Sequence, residues 1–164
     1  MHCMPNFFEE RTVKWENGKV VMIDQLKLPS KFTYVECSNH HQVADAIKRM
    51  VIRGAPAIGV AAAMALALAA KKSKARTKEE LMKELESAAD ILRATRPTAV
   101  NLFWGVNQVL KKTRESTSSI ASLKDEIVAE ANRLADEDVE FNHKMGFFGA
   151  SLLDDGETVL SHCK

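Results

Sequence analysis

Residues 55–70, mostly alanine with Ile58, Val60, Met64, Leu66 and Leu68 and no charged side chain until Lys71, constrain the fold more than any other stretch. A helix built from them has little polar surface to offer water, so it is expected at the centre of a bundle. The run of roughly 16 residues contains Pro56 and Gly59 and falls short of the ~20 strongly apolar residues that span a bilayer. A buried helix is therefore expected, and no membrane association. At 164 residues, 27% charged and 46% hydrophobic, the chain fits one soluble domain, or one domain and the beginning of another. Its 23 basic and 22 acidic residues leave a net charge of +1, which offers no electrostatic reason for a nucleic acid partner.

Just before this helix stands Met50-Val51-Ile52-Arg53-Gly54-Ala55-Pro56. An apolar-periodic segment stops at an arginine, a glycine follows where a helix C-cap favours positive φ, and a proline opens the next helix. Two readings are open. The corner is a helix-to-helix turn, or it is an anion site in which backbone amides, the helix dipole and Arg53 meet a phosphate. Arg96-Pro97-Thr98 repeats the grammar after a second helical stripe, and two guanidiniums near helix starts can clamp one phosphorylated ligand.

The rest of the chain supplies the frame. Val13 and Trp15 before Asn17-Gly18, with Val20 and Met22 after it, predict a β-hairpin. Residues 32–37 can add a strand, with Tyr34 and Glu36 facing opposite to Thr33 and Val35. Asn39 with Gln42 resembles a capping box ahead of the stripe Val43, Ile47, Met50 and Val51. Thr77 with Glu80 caps a third helix, Val100 to Leu110 carries a fourth, and a pattern of about 30 residues from Leu123 through Leu134, Phe141, Met145 and Phe148 to Leu152 predicts one long helix or two joined near Asn142. Residues 158–163 read as a short buried strand of the parallel type, which needs neighbours. The fold class expected is mainly α: an N-terminal β-hairpin and helical bundle over residues 1–153, then, over 154–164, the first strand of a truncated Rossmann-like α/β domain.

Cys163 would stand at the C-terminal end of that strand, where open α/β sheets place ligands. It is either a reactive thiol or inert packing, and alternation turns His162 to the other face. Cysteines at 3, 37 and 163 show no CxxC spacing and no disulfide framework, and no secretory leader is visible, so a reducing cytoplasmic setting is expected. His40, His41 and His143 have no partners at metal-ligand spacing, and no metal site is expected. Asp154-Asp155 belongs to a turn, and Trp15 and Trp104 to core or pocket wall.

The segments RTVKW, IRGAPAIGVAAA, TRPTAVNLFWG and GETVLSHC, in this order over nearly all of the chain, resemble those of methylthioribose-1-phosphate isomerases, within the wider family of translation initiation factor 2B alpha, beta and delta subunits. The resemblance implies conversion of 5-methylthioribose 1-phosphate to 5-methylthioribulose 1-phosphate in methionine salvage, with no cofactor or metal. It implies that Arg53, Gly54, Ala55 and Arg96 contact the substrate, mostly its phosphate, that Cys163 is the active-site thiol, and that the full chain is a homodimer. Asn101-Leu102-Phe103-Trp104 favours this branch over ribose-1,5-bisphosphate isomerase. A non-enzymatic subunit of the initiation-factor type is the alternative of another class. In the isomerases the His-Cys pair is followed by Asn-Ala-Gly, whereas Lys164 follows Cys163 here. The family's catalytic Asp, its substrate-binding Gln and its Asn-Lys pair have no counterpart in these 164 residues, so the chain is expected to be inactive alone.

Overall fold

A computed structural model describes residues 10–160. Three strands come first, β1 (Val13–Glu16), β2 (Lys19–Ile23) and β3 (Tyr34–Cys37), then five helices, α1 (His40–Lys48), α2 (Ala55–Lys72), α3 (Lys78–Thr95), α4 (Val100–Glu115) and α5 (Ile120–Ala150). The hairpin forms as the sequence predicts. Asn17 and Gly18 both take positive φ, 50° and 74°, which matches the twist of the flanking strands, and Val13 pairs with Met22 and Trp15 with Val20. β3 extends it to a three-stranded antiparallel sheet, with Met22 opposite Val35 and Val20 opposite Cys37.

The alanine-rich α2 is the hub. Twelve of its 18 residues are buried, and α1, α3, α4, α5 and the first two strands all pack on it. Although α2 is long and apolar enough to cross a membrane by length and composition, its surface is spent on this core. Each large side chain fully enclosed there, such as Met64, Leu66 or Leu68, contributes on the order of 2 kcal/mol by leaving water. Small residues let α4 come closest: a Cβ added at Gly105 would lie 2.2 Å from the Gly59 carbonyl oxygen, and one at Gly59 would lie 2.6 Å from that of Asn101.

Two expectations need correction, and the choice left open for the long apolar pattern is settled. The α1 stripe does not run to Arg53, because the helix ends at Lys48 in a Schellman turn. Val51 N–H donates to Ala46 O (2.9 Å) and Met50 N–H to Ile47 O (3.1 Å), and Met50 takes the left-handed position at φ 63° and is exposed. α5 is one helix of 31 residues, but only its first half is core. Leu123, Ile127, Ala131, Leu134 and Ala135 are buried, while Phe141, Met145, Phe148 and Leu152 are exposed, since the helix runs past the end of the bundle. Finally, Thr158, Val159 and Leu160 form no strand, there being no neighbour to complete a ladder, and no parallel sheet occurs among the described residues. The rest of the expected Rossmann-like strand, including Cys163, lies outside the described residues.

Candidate anion site at the paired starts of α2 and α4

The chain between α1 and α2 is held from below and open above. Val51 and Ile52 are buried, which pins the segment to the core. Gln25, just after β2, then grips it: Gln25 N–H donates to Val51 O (2.9 Å), and Arg53 N–H donates to Gln25 Oε1 (2.7 Å). The Arg53 guanidinium reaches back to Gln25 O through Nη2 at a long 3.4 Å and is otherwise exposed, with no carboxylate partner among the described residues. Its remaining donors are free to take an anion.

Gly54 has φ 95° and ψ 129°, a conformation that side-chain-bearing residues rarely adopt. The positive φ expected of it is there, but its role differs from a C-cap of α1: it is the N-cap of α2, and its carbonyl accepts the first helical bond from Ile58 N–H at 3.0 Å. Helix geometry leaves the amides of Ala55 and Ala57 without an intrahelical acceptor, and Pro56 removes the donor between them.

α4 starts in the same manner. α3 ends at Thr95, Arg96 turns the chain with φ −147° and ψ 82°, and Ala99 N–H donates to Arg96 O at 3.0 Å. Arg96 is half-buried with no ion-pair partner among the described residues, and Thr98 is exposed. The close approach of Gly59 to Asn101, the second residue of α4, sets the starts of α2 and α4 at one end of the bundle.

These two helix starts differ from the other three. Asn39, Thr77 and Ser119 each cap their helix with a side-chain oxygen, at 3.0, 3.2 and 3.3 Å from the backbone N–H three residues on. α2 and α4 have no side-chain cap. The uncapped amides, the positive ends of both helix dipoles and the two arginines make this end electropositive and leave donors unpaired among the described residues.

Beside it lies a cavity of about 330 Å³ walled by Pro56, Val60, Asn101, Trp104 and the α5 residues Leu134, Glu137, Asp138 and Phe141. Trp104 is thus pocket wall, as expected. A larger cavity, about 730 Å³, lies across α5 and is lined by Arg11, Ala57, Val60, Asp138, Asn142 and His143, among others. Asp138 belongs to both. Burial raises its carboxyl above the usual carboxylate value, an effect the Asn142 amide at 3.3 Å partly offsets.

Cys37, His40 and His41 line neither of these two cavities. Cys37 is buried against α1, and its thiol is pushed up to about 11 by burial and then by the Asp45 charge. His40 and His41 stack with ring centres 4.1 Å apart. Sequence reasoning named Arg53, Gly54, Ala55 and Arg96 as candidates but gave no sign of Gln25 or Asp138, which the structure sets near them. Gln25 acts across 28 positions and has no local signature, and Asp138 looks like any polar residue on a long helix.

Known proteins align with this arrangement. Residues 51–164, which contain both helix starts, match the Initiation factor 2 subunit family, and the chain belongs to that family. It is 50% identical over 154 residues to a putative methylthioribose-1-phosphate isomerase of Pyrococcus horikoshii, covering 93% of this chain and 42% of that protein. A methylthioribose-1-phosphate isomerase of Geobacter sulfurreducens is 45% identical over 154 residues, covering 93% and 44%. The fold matches the crystal structure of 5-methylthioribose 1-phosphate isomerase from P. horikoshii with a TM-score of 0.84, over 89% of this chain and 41% of that one. It also matches the translation initiation factor eIF-2B subunit delta from A. fulgidus, at 46% identity and a TM-score of 0.81, over 90% and 43%. The chain thus spans less than half the length of these relatives, whose names divide between an enzyme and a translation factor.

Proposed function

We propose that this chain is the phosphate-holding part of an aldose-ketose isomerase that converts 5-methylthioribose 1-phosphate to 5-methylthioribulose 1-phosphate, in methionine salvage, in the cytoplasm and as a homodimer at full length. The observation that carries this reading is the pair of adjacent helix starts, both without a capping side chain and each preceded by an arginine without a carboxylate partner among the described residues. Amides of Gly54 and Ala55 and the guanidiniums of Arg53 and Arg96 then take the phosphate oxygens, charge-assisted on both sides. The names of the P. horikoshii and G. sulfurreducens relatives supply the substrate.

The chemistry has two parts. The phosphate on C1 prevents spontaneous ring opening, so the site must first assist cleavage of the ring C–O bond. Hydrogen then passes from C2 to C1, with the Cys163 thiol as the acid-base group this chain contributes. Fixing the phosphate orients C1 and C2, and a dry pocket strengthens the fields on them. The catalytic Asp of the family has no counterpart in the 164 residues, so binding and turnover separate: this chain binds the sugar phosphate and does not turn it over. Titration with 5-methylthioribose 1-phosphate tests the first statement, with Arg53→Ala and Arg96→Ala each weakening binding at least tenfold. Unchanged affinity in both variants refutes the phosphate site, and ketose formation by the purified chain refutes the division of labour.

A further inference from the structure

The cavity beside the anion site has a composition that a phosphate alone does not use. Trp104 and Phe141 present aromatic surface, 43% and 61% exposed, and Pro56, Val60 and Leu134 complete an apolar wall. Two carboxylates interrupt it, and they are not equivalent. Glu137 is ion-paired to Arg133, which also binds Glu130 at 2.6 Å. Asp138 is half-buried and has no cation among the described residues, only the amide of Asn142 one turn on. A carboxylate that has lost part of its water without gaining a cation is under-satisfied and gains from any hydroxyl that donates to it. An aromatic wall with one such acceptor, next to a phosphate clamp, matches a polyhydroxylated ligand that also has an apolar end.

We infer that this cavity receives the sugar of the pentose phosphate: a ring hydroxyl donates to the Asp138 carboxylate, and the apolar carbon face with its 5-substituent lies against Trp104 and Phe141. The inference rests on the proposed phosphate site, since the clamp brings the sugar to the cavity mouth at Pro56 and Asn101. Volume agrees, because about 330 Å³ is at the small end of ligand pockets and has room for one sugar. The raised carboxyl of Asp138 fits an acceptor awaiting donors. Asp138 is therefore a specificity-determining residue and Trp104 the discriminator of the 5-substituent.

The test titrates the 164-residue chain with 5-methylthioribose 1-phosphate, ribose 1-phosphate and inorganic phosphate, followed by NMR of the Trp104 indole N–H. Both sugar phosphates move that resonance and inorganic phosphate does not. Asp138→Asn weakens both sugar phosphates about tenfold and spares inorganic phosphate. Trp104→Ala, with Trp104→Phe as a milder substitution, weakens the methylthio compound more than ribose 1-phosphate, and Arg53→Ala weakens all three. If Asp138→Asn and both Trp104 variants, folded by circular dichroism, bind 5-methylthioribose 1-phosphate within twofold of wild type while Arg53→Ala does not, the sugar subsite falls and the phosphate site stands. If Arg53→Ala also changes nothing, or the chain binds none of the probes, both fall.

Discussion

Replacing Gly105 by alanine tests whether the contact between α2 and α4 is set by backbone rather than by adjustable side chains. The added methyl would lie 2.2 Å from the Gly59 oxygen, 2.9 Å from its carbonyl carbon and 3.2 Å from its Cα, all in the backbone of the central helix. No rotamer change relieves that, so α4 must retreat by about 1 Å to restore ordinary contact. Overpacking of this kind costs ~1–3 kcal/mol, and here the upper end applies because the obstacle is rigid. Alanine returns ~1 kcal/mol through helix propensity, which leaves a net loss of about 2 kcal/mol, or roughly 6 °C in Tm for a chain of this size. Urea unfolding followed by circular dichroism measures it. The matched control is Gly146→Ala in α5, where nothing lies within 4 Å of the new methyl, and the same exchange should gain ~0.5–1 kcal/mol. Opposite signs are thus expected from one chemical change. Because α4 carries half of the anion site, Gly105→Ala should also weaken inorganic phosphate. A variant as stable as wild type, or as Gly146→Ala, refutes the argument.

Two further outcomes follow from the titrating groups. Burial, and then the neighbouring His41, hold His40 below its ordinary value near 6.5. The unfolded chain therefore takes up a proton there before the folded one does; stability is full above about pH 6.5 and declines as pH falls toward the lowered folded value. His40→Gln should flatten Tm against pH in that window, and an unchanged slope would count against it. Cys37, pushed up to about 11 and buried, should react with Ellman's reagent at pH 8 only after denaturation in a Cys3→Ser, Cys163→Ser background. Prompt labelling of the native protein would contradict the burial argument.

Local chemistry explains what the sequence foretold. Asn17-Gly18 needs positive φ at both positions, and Thr77 with Glu80 can satisfy amides reciprocally; both act within a few residues and leave a composition signal. Arg53 and Gly54 were legible for the same reason, although the glycine serves α2 and not α1. Met50 was not. Its spacing continues the apolar stripe of α1, and only the two Schellman hydrogen bonds reveal that it has left the helix. The stripe through Phe141 and Phe148 was legible as a helix face but not as an uncovered one, since periodicity reports which side is apolar and not whether anything packs there. Gln25 and Asp138 acquire their roles from residues far away in sequence, which no single-segment pattern encodes.

The length of α5 has a consequence in angular phase. At 1.5 Å per residue its 31 residues form a rod of about 46 Å, anchored only along the buried stretch from Leu123 to Ala135. Every side chain beyond Ala135 takes its bearing from that anchor at about 100° per residue. One residue inserted after Ala135 would swing Asp138 and Phe141 out of their shared cavity and point the Phe141, Met145 and Phe148 stripe elsewhere, while four inserted residues would nearly restore the bearing and displace everything by ~6 Å. Distance and orientation are thus coupled along this helix, and its register against Leu134 aims both the cavity wall and the uncovered aromatic face.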